Sequence, residues 1–149
     1  ADIFYNEIIF ELLKHKKIVL TPHPKEFCSL LKMIGIADIS TNELQDSRFE
    51  YVEMFCKKYP DAVLLLKGAN VIIGKSDTYY VNSFGDSKLS KGGSGDVLSG
   101  LIGAMLAQGY DRLDAVITAS LAHTKISKEY KGSSFSMTPQ DLIDGINHL

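Results

Sequence analysis

The feature that most constrains this chain is a glycine-rich loop that runs directly into an apolar helix. Gly92, Gly93 and Gly95 fall within four positions, and glycine weakens the interiors of both helices and strands. Beyond them the apolar residues recur at helical spacing, which predicts a helix that begins between Ser94 and Asp96. The first amides of such a helix have no partner within it and lie at the positive end of its dipole. The loop therefore predicts a cradle for a phosphate-like anion, with the Asp96 carboxylate at its rim.

A simple structural interpretation of the same loop stays open. Glycines before a helix also form ordinary tight turns, and an acidic residue in a first helical turn also serves as a dipole partner. The loop is not of the Walker A type, because no lysine follows Gly95. It does not fit Gly-x-Gly-x-x-Gly either, since Leu98 occupies the third glycine position. The spacing alone is compatible with an anion site and with a plain turn.

Composition excludes several classes of protein. The 149 residues are 45% apolar and 23% charged, which predicts one folded domain with a packed core. The formal net charge is −2 and the lysines are scattered, so we expect no nucleic-acid partner. No apolar run reaches the length of a membrane span and no secretory signal is recognisable, so we expect no membrane partner and a cytoplasmic protein. Cys28 and Cys56 are then expected to be reduced thiols rather than a disulfide or metal pair.

Periodicity and turn residues give an order of elements that is typical of an α/β protein. The predicted elements are a helix over 4–15, a strand over 18–20, a helix from Pro24 to Gly35, one helix from Ser40 or Thr41 to Pro60, a strand over 62–66, a hairpin over 71–81 that turns at 74–77, a helix from the glycine loop to Gly109, a helix over 113–130 and a last helix from Thr138.

Two polar segments follow predicted strands and are candidates for ligand contact. His23 lies between two prolines just after the first strand, and Lys67 follows the second. Ligands of open α/β sheets bind at the carboxyl ends of strands, which favours a binding role for both residues. A solvent-exposed loop histidine and a solvated turn lysine are the alternatives. Glu26, in the first turn of the next helix, is compatible with a simple dipole partner.

Several motifs, taken in order, resemble one known family. They are Thr21-Pro22-His23-Pro24, Leu66-Lys67-Gly68-Ala69, Val81-Asn82, the loop from Gly92 to Gly100, and Leu106-Ala107-Gln108-Gly109. Together they resemble the ADP/ATP-dependent NAD(P)H-hydrate dehydratases, the C-terminal domain of YjeF-type repair proteins in the ribokinase-like superfamily. The resemblance runs along the whole chain and implies a three-layer α/β/α sandwich. Because Ala1 and Asp2 match a segment in the middle of that domain, residues 1–149 are predicted to be only its C-terminal portion.

The resemblance also implies a reaction and a set of site residues. The reaction is the ADP- or ATP-dependent dehydration of (6S)-NAD(P)H-hydrate to NAD(P)H, through phosphoryl transfer to the C6 hydroxyl and elimination of phosphate. Asp96 matches the catalytic base and a substrate contact, and His23 matches a second substrate contact. Mg²⁺ is the implied metal, with Glu26 in an indirect role beside it. The implied nucleotide-binding residues are Lys67, Gly68, Ala69, Asn70, Val71, Gly93, Ser94 and Gly95.

One position departs from the family pattern, and two other functions remain open. Val71 stands where the family usually has threonine, so a hydroxyl contact is lost there while a backbone contact is not. The first alternative is a small-molecule kinase of the same superfamily, for a vitamin precursor or a sugar. The second is a nucleotide-binding fragment without turnover. The resemblance further predicts a homo-oligomer and allows an epimerase domain in the intact protein.

Overall fold

The computed structural model describes residues 2–15 and 17–149. Contacts divide the chain into two compact units, residues 1–81 and residues 82–149. Ala1, on which part of the predicted mid-domain match depends, lies outside the described residues.

The first unit combines helices with a four-stranded sheet. Its elements are a 3-10 turn Asp2–Tyr5, α1 Ile8–Leu13, β1 Val19–Leu20, α2 Pro24–Met33, α3 Thr41–Asp46, α4 Arg48–Lys58, β2 Val63–Leu66, β3 Val71–Lys75 and β4 Thr78–Asn82, whose last residue opens the second unit.

The sheet places its strands in the order β1-β2-β3-β4. Strand β1 pairs with β2 in parallel, with Val19 opposite Val63, and β2 pairs with β3 antiparallel, with Leu66 opposite Ile72. All four residues of β2 are buried, as expected for a continuous apolar strand in the interior of a sheet. The parallel pair brings the carboxyl ends of β1 and β2 to one edge of the sheet, directly before the two predicted ligand segments.

Local capping chemistry sets the starts of the helices around the sheet. Helix α2 begins with Pro24 at its first position, and α3 begins after a capping box between Ser40 and Glu43. The predicted stop of α2 is confirmed by Gly35, whose φ of 66° lies in the left-handed region that glycine adopts freely. Helix residues then complete a core around Phe27 and Phe55, whose rings meet edge to face.

Three boundary predictions in the first unit are wrong. The single helix expected before Pro60 is two helices, because Ser47 leaves helical geometry at φ −137° and ψ 38°. Serine competes with the helix by local hydrogen bonding, so it is a common break point. The helix expected over residues 4–15 begins as a 3-10 turn, and α1 itself covers Ile8–Leu13. The hairpin turn is tighter than predicted, since β3 continues to Lys75 and only Ser76 and Asp77 connect it to β4.

The second unit consists of helices joined by loops. Its elements are a 3-10 turn Ser87–Ser90, α5 Ser94–Ala107, α6 Arg112–Glu129, α7 Pro139–Gly145 and a terminal 3-10 turn Ile146–His148. Helices α5, α6 and α7 pack against one another, and Ile126, Met137 and Leu142 form one of the apolar clusters there. The predicted starts of α5 and α7 are confirmed, the latter by a capping box between Thr138 and Asp141.

Both cysteines, Cys28 and Cys56, are free and buried, which confirms the prediction of reduced thiols. Burial raises the pKa of the Cys56 thiol to about 12, so this group is inert toward nucleophilic chemistry at neutral pH. Within the described residues, no helix has the length and apolarity that crossing a bilayer requires.

Candidate functional site

In the first unit, the two predicted ligand segments lie side by side at the carboxyl ends of β1 and β2. The backbone amide of Lys67 donates to the carbonyl oxygen of Pro22 at 3.0 Å, which extends the parallel pairing by one step. The proline-flanked loop and the Lys67 turn are therefore held together by main-chain geometry. Both segments were predicted to lie at strand ends, and the register of β1 and β2 makes them neighbours.

The loop histidine is fixed by the carboxylate of the next helical turn. The His23 amide donates to Glu26 Oε2 at 2.7 Å, and the Glu26 amide donates to His23 Nδ1 at 3.2 Å. This reciprocal pair is a capping box in which a histidine replaces the usual serine or threonine. Because Nδ1 accepts, the proton of a neutral His23 ring resides on Nε2, which lies 3.5 Å from Glu26 Oε1. The side chain of His23 is 47% exposed, so the ring remains accessible to a ligand.

Glu26 links this histidine to the lysine of the neighbouring turn. Its Oε2 atom lies 4.0 Å from Lys67 Nζ, and its side chain is only 6% exposed. Burial acts to raise the pKa of Glu26, but the His23 amide and the nearby positive charges outweigh it and hold that pKa below its usual value. Glu26 is thus a buried carboxylate that orders His23 and Lys67.

The predicted metal role of Glu26 gains no support from its surroundings. Across the described residues, no three histidine, cysteine, aspartate or glutamate side chains form a group that could hold a metal ion. Magnesium needs several oxygen ligands in a near-octahedral arrangement, and one carboxylate directed at a histidine and a lysine does not fit that need. The indirect role of Glu26 therefore stays a prediction.

Arg48, which was not among the predicted site residues, holds the Lys67 turn through hydrogen bonds to its main chain. Its Nη2 atom donates to the carbonyl oxygens of Lys67 at 3.1 Å and Leu66 at 3.4 Å. A Cβ atom at Gly68 would lie 2.6 Å from the same nitrogen, so glycine lets the guanidinium approach the main chain. The turn that follows, Gly68 to Asn70, is exposed, and Val71 begins β3. Four of the predicted nucleotide contacts thus lie on a turn whose main chain is held by the half-buried guanidinium of Arg48.

In the second unit, the glycine loop enters α5 through a glycine in the left-handed conformation. Gly93 is the N-cap of α5 with φ 85°, a left-handed conformation that strains any other L-residue. A Cβ atom there would lie 2.6 Å from Pro139 Cγ, so α7 also requires glycine at this position. The carbonyl oxygen of Gly93 accepts from the amides of Asp96 and Val97, both at 3.1 Å, while the Ser94 amide makes a long bond of 3.3 Å to Lys91.

The carboxylate at the rim of the loop is accessible. Asp96 is exposed in the first turn of α5, and Gly95 beside it is half-buried. The dipole of a 14-residue helix adds partial positive charge at this end. The first turn of α5 therefore combines an exposed carboxylate with the amino end of the helix dipole, and its role as an anion site stays a prediction.

The side chain of Ser94 is directed toward the neighbouring helix α6. Its Oγ atom lies 3.1 Å from His123 Nε2 on α6, and both residues are buried, at 3% and 6% exposure. Burial lowers the pKa of His123 to about 4, and a hydrogen bond with the Ser94 backbone offsets only part of this effect. His123 was predicted to be a hydrogen-bonded packing residue, and this prediction is confirmed. Its partner at the glycine loop could not be predicted.

Two lysines fix the segment that leads into the loop. Lys88 Nζ donates to the carbonyl oxygen of Ser127 at 2.9 Å and pairs with Asp86 at 3.2 Å. Lys91 Nζ donates to the carbonyl oxygen of Phe135. Both ammonium groups are thus engaged with α6 and with the loop before α7.

Within each unit, the structure brings together a subset of the predicted site residues. The first unit places His23, Glu26 and Lys67 in one cluster, and the second places Gly93, Ser94, Gly95 and Asp96 on one helix start. Arg48 and His123 complete the two clusters. The residues next to Arg48 and His123 in the sequence do not indicate these roles, because their partners lie 19 and 29 positions away.

Comparison with known proteins gives a consistent result. A family model described as NAD(P)H-hydrate dehydratase matches residues 5–148. The chain is 48% identical over 149 residues to the bifunctional NAD(P)H-hydrate repair enzyme Nnr of Helicobacter pylori, a match that covers the whole chain and 31% of that protein. It is 37% identical over 107 residues to the ADP-dependent (S)-NAD(P)H-hydrate dehydratase of Bacillus subtilis, covering 71% of this chain and 36% of that one. The chain thus spans about a third of the length of these two curated relatives.

Solved structures agree with this assignment of the fold. The ADP/ATP-dependent NAD(P)H-hydrate dehydratase of Bacillus subtilis, co-crystallised with ATP and Mg²⁺, superposes with a TM-score of 0.79 at 30% identity, over 89% of this chain and 46% of that one. Ribokinase from Thermotoga maritima superposes with a TM-score of 0.50 at 19% identity, over 87% and 42% of the two chains, and shows likeness of fold alone. The predicted ribokinase-like α/β fold is confirmed.

Proposed function

The chain belongs to the NAD(P)H-hydrate dehydratase family, and we propose that it takes part in the ADP- or ATP-dependent dehydration of NAD(P)H-hydrate to NAD(P)H. The observation that carries the proposal is the start of α5. There a left-handed glycine, Gly93, opens a helix whose first turn carries the exposed carboxylate of Asp96. This arrangement provides electrostatic stabilisation for a phosphoryl group and a proton acceptor within one turn of helix.

The first chemical step is phosphoryl transfer. The C6 hydroxyl oxygen of the hydrated nicotinamide ring bonds to the terminal phosphorus of the nucleotide, and the bond from that phosphorus to the leaving AMP or ADP oxygen breaks. Asp96 accepts the hydroxyl proton as the new bond forms. The amides at the start of α5 stabilise the charge that develops on the transferred group, with the helix dipole behind them.

The second step is elimination. Phosphorylation converts a poor leaving group into a good one, and the lone pair of the ring nitrogen then expels phosphate from C6. Loss of a proton from the neighbouring ring carbon restores the double bond of NADH or NADPH. The products are the reduced nicotinamide nucleotide, phosphate, and AMP or ADP, so the atoms balance without an oxidant or reductant.

The cluster in the first unit supplies binding rather than proton transfer. Lys67, ordered by Glu26, offers one positive charge for a nucleotide phosphate, and the half-exposed ring of His23 offers an Nε2–H donor for the hydrated dinucleotide. Mg²⁺ supplies charge neutralisation when it is bound with the nucleotide phosphates. Because no group of described side chains forms a metal site of its own, we propose that the ion is held mainly by the nucleotide.

The experiment that tests the proposal mixes the intact protein with ADP or ATP, Mg²⁺ and (6S)-NADH-hydrate, and follows the absorbance of the reduced nicotinamide. Recovery of that absorbance with stoichiometric release of phosphate supports the dehydratase. Accumulation of a phosphorylated product without absorbance recovery identifies a small-molecule kinase instead. Nucleotide binding without either product identifies a fragment that binds and does not turn over.

Several finer expectations stay predictions. Residues 1–149 are predicted to form the C-terminal portion of a larger dehydratase domain. The protein is also predicted to be a cytoplasmic homo-oligomer, and an epimerase domain is predicted to accompany it. The first is compatible with the short share of each relative that this chain matches. Gel filtration and the mass of the intact gene product test all but the location.

A further inference from the structure

The start of α5, like those of α1 and α4, has no side-chain cap, whereas α2, α3, α6 and α7 each have one. Helices α2, α3 and α7 each begin with a capping box, in which a side chain and a backbone amide bond reciprocally. Helix α5 begins at Gly93, which has no side chain to serve as a cap. Its first turn, which carries the anion loop, therefore needs another source of order.

That source is a contact from the neighbouring helix. The first residue of α5, Ser94, places its Oγ atom 3.1 Å from Nε2 of His123, at the middle of the 18-residue helix α6. The contact joins residues 29 positions apart, so it ties the first turn of α5 directly to α6. Since both residues are buried, water cannot replace the contact without a cost in desolvation.

We infer that His123 is a positioning residue for the anion loop, which holds Ser94 so that the amide of Gly95 and the carboxylate of Asp96 keep their direction. This inference rests on the proposed function and names a further residue on which that site depends. A neutral ring suits the task, because a charged imidazolium beside the start of α5 would be repelled by the helix dipole and would compete for the bound anion. His123 itself is expected to touch neither substrate nor nucleotide and to act only through Ser94.

The test uses three variants in the intact protein. His123→Phe keeps an aromatic ring and removes the hydrogen bond, Ser94→Ala removes the other partner, and His123→Gln places an amide where Nε2 was. We expect kcat of His123→Phe to fall roughly ten- to a hundredfold, the scale of effect that a misplacement of about 1 Å produces. The KM for ADP changes much less, and His123→Gln restores kcat to within about threefold.

The double variant of His123 and Ser94 distinguishes an effect that acts through their contact from a general loss of folding stability. If His123 acts through Ser94, the double variant loses no more activity than the worse single variant, because both changes break one interaction. Thr124→Val is the matched control, since it removes a buried hydrogen bond to Asn82 from the next position of α6. It lowers the thermal midpoint as His123→Phe does, and it leaves kcat unchanged.

Amide hydrogen exchange provides a readout that does not depend on turnover. Faster exchange at Gly95 and Asp96 in His123→Phe, restored in His123→Gln and unchanged in Thr124→Val, supports the inference even if the wild type shows no dehydratase activity. Normal exchange there in His123→Phe, or a kcat that falls equally in Thr124→Val, overturns it. A wild type that binds ADP but never regenerates NADH overturns the proposed function alone.

Discussion

The two units order their ligand segments with different chemistry. Among the described residues of the first unit, one polar or charged side chain is buried, that of Glu26. Its negative charge acts on His23 and Lys67. The second unit buries six polar side chains without an ionised group among them at neutral pH. They are Asn82, Ser94, Ser120, His123, Thr124 and Ser127.

This difference follows from what each segment must present. A lysine and a histidine at strand ends need a carboxylate that fixes them and balances their charge, so the first unit includes a buried ion. An anion site made of amides needs a rigid backbone, so the second unit orders the start of α5 with a neutral hydrogen bond and a left-handed glycine. We therefore expect the first cluster to respond mainly to changes of charge and the second mainly to changes of packing and conformation.

The largest expected effect concerns the one charged group that the second unit exposes at its loop. Asp96→Asn keeps the shape of the side chain and removes its basicity, so turnover falls by roughly two to four decades, the usual contribution of a positioned base. Nucleotide affinity, measured by calorimetry, remains close to that of the wild type. Asp114→Asn is the matched control, since it makes the same change in the first turn of α6. Equal turnover in Asp96→Asn and the wild type would remove Asp96 from the catalytic role.

The next effect is the pH dependence that a buried neutral histidine imposes on the second unit. The pKa of His123 is lowered to about 4 in the folded protein from 6.5 in the unfolded chain, so the unfolded state binds the extra proton between these values. His123 thus contributes no penalty above pH 6.5, and stability is lost as the pH falls from 6.5 toward 4. The loss is about 3 kcal/mol relative to His123→Gln, which has no titrating group there. Urea unfolding of both proteins across this range measures it, and parallel curves would contradict the assignment.

A smaller effect tests whether conformation limits the second cluster. Gly93→Ala forces an L-residue into a left-handed conformation and drives its Cβ atom toward Pro139, so we expect the free energy of unfolding to fall by about 2 kcal/mol. Gly92→Ala is the control, because a Cβ atom at Gly92 meets nothing within 4 Å. Its stability stays within about 0.5 kcal/mol of the wild type. Equal losses in the two variants would show that glycine is not required at the N-cap.

The smallest effect tests the role of charge in the first cluster. Glu26→Gln keeps an acceptor for the His23 amide and removes the negative charge, so we expect a loss of about 1 kcal/mol at neutral pH. Because the folded pKa of Glu26 is lowered, the wild type has this stability above its unfolded pKa of 4.5 and loses it as the pH falls through the folded value. The two proteins therefore converge in acid. Urea unfolding of Glu26→Gln and the wild type across this pH range measures the difference, and Glu43→Gln, the same change in the exposed capping box of α3, is the control.

Much of the architecture could be predicted because it depends on neighbouring residues. Pro24 after a strand, Ser40 three positions before Glu43, and Thr138 before Pro139 each indicate a helix start through local hydrogen bonding and fixed φ angles. The division of one predicted helix into α3 and α4, one of three wrong boundary predictions in the first unit, is also local. Ser47 breaks an apolar pattern that continues on both sides of it, and periodicity alone does not detect such a break.

The candidate site was predictable only in part. The glycine loop, Asp96, His23 and Lys67 lie at strand ends and a helix start, where general rules of α/β proteins place ligands. The residues that hold them were not predictable as such, since Arg48 reaches the Lys67 carbonyl and His123 reaches Ser94 across long stretches of chain. From the sequence, His123 is predicted to be a packing residue because it lies among small residues of a helix, and its partner is identified only by the structure.

The sequence by itself determined the glycine-to-helix transition, the order of helices and strands, and the chemistry available at the loop, because caps, turns and periodicity act over a few residues. The tertiary structure decided which buried groups order these segments: a carboxylate between a histidine and a lysine in one unit, a neutral histidine against a serine in the other. The physical reason is that a hydrogen bond between distant residues leaves no periodic signal in the chain. Its partners are selected by packing, where an unpaired buried polar group costs more free energy than the bond contributes.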